Sequence, residues 1–137
     1  MKRTAVRAVL GVGLLYLVVG VGFGALAGRA GSSEVRVAWR WAAWVVSGIA
    51  FEAHIRYEQV RLGSTPRVTA LHVASAAGLG AFGLGALANV HAQAVSPERH
   101  SLMLALSLVI WPLMTMVPAF VVALVVATLF ARARRSV

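Results

Sequence analysis

The run AVLGVGLLYLVVGVGFGALA, residues 8–27, crosses 20 positions without a charge. At 1.5 Å per helical residue it spans the hydrocarbon of a bilayer, which takes about 20 apolar residues. Lys2, Arg3 and Arg7 precede it, as expected for the cytoplasmic flank of a first span. A cleaved secretory signal is the rival reading, because Ala25-Leu26-Ala27 before Gly28 has the small-x-small form of a cleavage site. The run is longer than the 7–15 apolar residues usual in such signals, and we read it as a span.

The remaining 110 positions repeat the pattern, and the whole sequence is 60% apolar and only 12% charged. A soluble domain is typically about 45–50% apolar, so this composition predicts an integral membrane protein. Spans are expected at about 8–28, 37–58, 68–92 and 101–130, with no room for a separate soluble domain in 137 residues. The expectation is an all-α, antiparallel up-down-up-down four-helix bundle forming one transmembrane domain over 1–137. The net charge of +9 does not point to nucleic acid, because nine of the thirteen Lys and Arg fall in three clusters beside apolar runs. Those nine flank one side: Lys2, Arg3, Arg7, Arg56, Arg61, Arg67, Arg132, Arg134 and Arg135. Arg29, Arg36, Arg40 and Arg99 flank the other. The bias predicts both termini in the cytoplasm, in a membrane of the bacterial inner type. With no cysteine, disulfides, thiolate metal sites and cysteine nucleophiles are excluded.

Small residues mark where helices can approach one another. Gly20, Gly24 and Gly28 recur every four residues in the first span, and Gly78 and Gly85 belong to a stripe with Ala74, Ala81 and Ala88 in the third. That stripe predicts that the third helix is the central one. Gly78-x-Gly80-x-x-Gly83 has the spacing of a dinucleotide fingerprint but lies in mid-span with no preceding strand, and is set aside. Pro112 and Pro118 interrupt the fourth run, where tilt or a kink is expected. Trp39, Trp41 and Trp44 beside Arg40 read as the aromatic belt where the second helix enters the membrane.

Polar chemistry concentrates in Phe51–Glu58. Counting from Trp39, Glu52 is expected to be the deepest charge, with Arg56 four residues on as its partner, while His54 and Glu58 form a second i,i+4 pair. His54 continues the small-residue stripe Ala43, Ser47, Ala50, so it is expected to face another helix. His72, one turn inside the third run, is expected near the same interface. From Arg56 onward the cluster also reads as a snorkelling cytoplasmic rim.

Three functions follow as expectations. The leading one is a non-catalytic component that packs with other membrane subunits or with itself in the lipid bilayer. The alternative is a proton- or ion-coupled transporter or channel centred on Glu52, with His54 and His72 as relay groups and Arg56 and Glu58 beside them. A further alternative is a b-type haem held by His54 and His72. No catalytic group and no protein metal site are assigned, His91 with His100 lacking a carboxylate pair.

Overall fold

The computed structural model describes residues 3–95 and 102–134, and these form four helices. They are α1 (Arg3–Gly28), α2 (Ser33–Val60), α3 (Pro66–Val95) and α4 (Leu102–Ala133). All four expected runs are helical, and six of the eight ends extend two to five residues past the expected bounds. Pro97 to His100, with Arg99, lie outside the described residues, as do Lys2 and Arg135.

Each helix boundary has a local cause. Ser32, in extended conformation, caps α2 by accepting a hydrogen bond from the Val35 N–H at 3.3 Å, and Glu34 in the first turn complements the helix dipole. After α2 the chain turns at Gly63, whose φ of +64° only glycine adopts without strain, and Pro66 opens α3 at a position whose N–H would have no helical partner. The α4 helix runs continuously through Pro112 and Pro118. Here the Thr115 hydroxyl donates to the Trp111 carbonyl at 2.9 Å.

Three helices, α1, α3 and α4, are long and apolar enough to cross a membrane. The second is the exception. It is 28 residues long but carries Glu34, Arg36, Arg40, Glu52, Arg56 and Glu58, so its charge-free core is only the eleven residues from Trp41 to Phe51. A stretch of that length is too short to span a bilayer unaided.

The central position expected for α3 is observed: it packs on α1 and on α4 and carries more buried residues than any other helix. Its two small faces serve different neighbours. Gly78 sits under Met116 and Gly85 beside Leu108, so the Ala74-Gly78-Ala81-Gly85 stripe meets α4. Asn89 adds a polar tie by donating to Ser107 Oγ at 3.1 Å. The opposite face crosses α1 at Gly80 and Gly13. A Cβ built on Gly80 would lie 2.6 Å from the Tyr16 Cβ and 3.2 Å from the Gly13 carbonyl oxygen, so the two backbones approach as closely as glycine alone permits.

Of the three glycines expected to pack in α1, Gly20 meets α3 and Gly24 and Gly28 meet no helix. Gly20 is covered by Leu84, but nothing lies within 4 Å of where a Cβ of Gly24 or Gly28 would stand. Both line a cleft instead. The close α1–α3 crossing falls at Gly13, seven residues before Gly20 on the same face of α1, so Gly24 and Gly28 lie about three and four turns along the helix from the crossing.

Candidate functional site

The α2 helix is tied down at its two ends and stands free of α4 between them. Near its start, Trp39 packs against Phe23 of α1 with ring centroids 5.9 Å apart. Near its end, Gln59 donates from Nε2 to the Ala127 carbonyl of α4 at 2.7 Å, and Arg134 Nη1 donates to the Gln59 carbonyl at 3.4 Å. Ile55 is packed there with Ala70 and Val73 of α3 and Ala123 and Ala127 of α4, and Phe51 and Phe120 close the cluster on one side.

At this tied end the polar residues converge. The α2–α3 turn folds back so that the Ser64 N–H donates to the Glu58 carbonyl at 3.0 Å and the Ser64 hydroxyl donates to Glu58 Oε2 at 2.7 Å. The other carboxylate oxygen, Oε1, lies 3.0 Å from His72 Nδ1 and 3.8 Å from His54 Nε2. Glu58 is fully buried, and His54 and His72 are only 3% and 8% exposed. The His72 distance is short enough for a hydrogen bond, but the ring is turned so that an Nδ1–H would not point at the oxygen. Glu58 Oε1, His72 Nδ1 and both nitrogens of His54 therefore lack a hydrogen-bond partner, as does the neighbouring Thr69 hydroxyl. Buried polar atoms are partnered in more than nine cases of ten, so this concentration sets the cluster apart from ordinary core.

Sequence spacing is borne out in the two i,i+4 contacts, Arg56–Glu52 at 3.6 Å and His54–Glu58 at 3.8 Å. The two acids differ in enclosure by the protein: the Glu52 side chain is 58% exposed and that of Arg56 is 65% exposed, both on the outside of the bundle, while Glu58 is the enclosed acid. Counting residues from the interface measures distance along the helix axis, whereas enclosure depends on which side of α2 meets α3. The sequence held a signal for Glu58, because it stands one turn beyond His54 on the stripe Ala43, Ser47, Ala50, His54.

A haem iron between His54 and His72 does not fit this arrangement, because both rings approach the same carboxylate oxygen and Glu58 fills the space between them. Among the described residues no group of three or more His, Asp or Glu is arranged to hold a metal ion. His91 is exposed on α3, and its suggested partner His100 lies outside the described residues.

The larger feature was not visible in the sequence. Between α2 and α4, floored by α1 and α3, lies a cleft of about 920 Å³. Its walls are apolar: Phe23 and the open faces of Gly24 and Gly28 on α1, Ser47 and Gly48 on α2, and Trp111, Met114 and Val122 on α4. Arg36 and Arg40 stand at one end, and Phe51 separates the other end from the His54–Glu58–His72 cluster. Volumes of 300–1,000 Å³ with apolar walls and few polar groups are typical of ligand sites. No family model, no curated protein and no solved structure matches this chain.

Proposed function

We propose that this chain is an integral membrane protein of the proton- or ion-coupled transport class, with its ionisable centre at Glu58 rather than Glu52. In this reading all four helices cross the membrane in antiparallel up-down-up-down order with both termini cytoplasmic, in a membrane of the bacterial inner type. The pairing of Phe23 with Trp39, Glu58 with His72 and Gly85 with Leu108 supports that order, and the nine-to-four distribution of Lys and Arg supports the orientation.

The observation that carries the reading is a carboxylate with no exposure whose one oxygen is approached by imidazoles from two helices. Ionisable groups enclosed within membrane helices are costly and mark proton or ion pathways. A proton can reside on Glu58, His54 or His72, and its position changes the charge at the junction of α2 with α3. The test is proton flux in proteoliposomes. Glu58→Gln abolishes it and Glu52→Gln leaves it unchanged; flux that survives Glu58→Gln sinks the reading.

A second reading, a packing subunit or homo-oligomer, is favoured by one separate observation. Gly11 and Gly22 are exposed on α1, eleven residues or about three turns apart and so on one face, with nothing within 4 Å of either Cβ position. Crosslinking with size-exclusion in mild detergent distinguishes it, since a strict monomer without co-purifying chains counts against it.

A further inference from the structure

The cleft between α2 and α4 has a chemistry that the proton-handling cluster does not use. Arg36 and Arg40 are four residues apart and share a face of α2, an arrangement of like charges that is unfavourable on an isolated helix. Among the described residues neither has an ion-pair partner, and no acidic residue lines the cleft. Two guanidinium groups at one end of an apolar trough complement a phosphate, whose oxygens accept from them in forked pairs.

The dimensions narrow the occupant further. From Arg40 to Phe51 is eleven residues, about 16 Å of helix, which is about half of the ~30 Å hydrocarbon core. One leaflet of a bilayer has that thickness. Trp41 and Trp44, exposed beside Arg40, occupy the level at which aromatic residues meet headgroups. Below them Gly24 and Gly48 leave room on one wall, while Trp111, Met114 and Val122 present an apolar surface on the other.

We infer that the cleft is a binding site for one anionic phospholipid, with its phosphate held by Arg36 and Arg40 and its acyl chains lying between α2 and α4 down to Phe51. The lipid completes α2 as a membrane helix. It offsets the charge of Arg36 and Arg40 at the start of α2 and fills the gap that separates α2 from α4. This site is independent of proton movement at Glu58.

The experiment is native mass spectrometry of the protein released from nanodiscs of phosphatidylglycerol mixed with phosphatidylcholine. The wild-type chain retains one phosphatidylglycerol in preference to phosphatidylcholine. With a charge near the membrane surface contributing about fivefold to anionic-lipid binding, Arg36→Gln with Arg40→Gln lowers that preference by about 30-fold. Gly48→Leu places a side chain in open space of the cleft, so it displaces the lipid while the helices stay in place. Retention of both lipids alike, or a preference unchanged in the double arginine variant and in Gly48→Leu, overturns the site. A disulfide between two copies each carrying Val122→Cys overturns it too, because a second chain then fills the cleft; the protein has no cysteine of its own to confuse that result.

Discussion

Replacing Glu58 by alanine tests which acid is structurally committed. The substitution deletes the acceptor of the 2.7 Å Ser64 hydroxyl bond, and a hydrogen bond to a charged group contributes about 1.5–3 kcal/mol. It also removes the carboxylate that two buried imidazoles approach and leaves a void where a side chain had no exposure. The lost Ser64 hydrogen bond sets the scale, and we expect Glu58→Ala to cost about 1.5–3 kcal/mol. Glu52→Ala breaks only the exposed 3.6 Å contact with Arg56, with an effect of about 0.3 kcal/mol. Thermal unfolding in mild detergent, followed by circular dichroism, separates the two. Glu58→Ala lowers the midpoint by about 5–10 °C and Glu52→Ala leaves it within a degree or so. Equal shifts, or a larger one for Glu52→Ala, refute the placement of α2 against α3.

Two further outcomes check the packing and the orientation. Gly80→Ala puts a methyl group 2.6 Å from the Tyr16 Cβ, forces α1 from α3 and costs about 1–3 kcal/mol. Gly24→Ala meets nothing within 4 Å and is neutral or stabilising by up to about 1 kcal/mol through helix propensity, so a ranking in the opposite order in the same unfolding assay contradicts the crossing at Gly13 and Gly80. For orientation, a membrane-impermeant maleimide applied to intact cells labels Gly31→Cys, in the α1–α2 turn, and spares Gly63→Cys, in the α2–α3 turn; the reverse pattern inverts the proposed topology.

Much of the scaffold is local in origin. Ser32 and Glu34 start α2, and Gly63 and Pro66 turn the chain into α3, through backbone preferences that act over three or four residues. The pairs Glu52–Arg56 and His54–Glu58 follow from helical periodicity, and both form. The small-residue stripe on α3 marked it as the central helix before any neighbour was known. Even the direction of His54 was readable from Ala43, Ser47 and Ala50.

Tertiary structure decided how each helix is turned about its own axis. Six residues separate Glu52 from Glu58, and at 100° each they point about 120° apart, so α3 can cover one and not the other. Sequence spacing names the pairs, but the covered face depends on where α3 lies, which is set by the Gly13–Gly80 crossing and the contacts of Ile55 with Val73 and Ala127. The cleft is legible in no single helix, because it is a gap between α2 and α4, separated in the chain by all of α3. The sequence by itself determined four helical runs, and it expected all four as spans. Only the packing determined that α2 hides Glu58, exposes Glu52 and stands off from α4 with two arginines at the opening, because enclosure is a property of neighbours in space and charge spacing is a property of one chain.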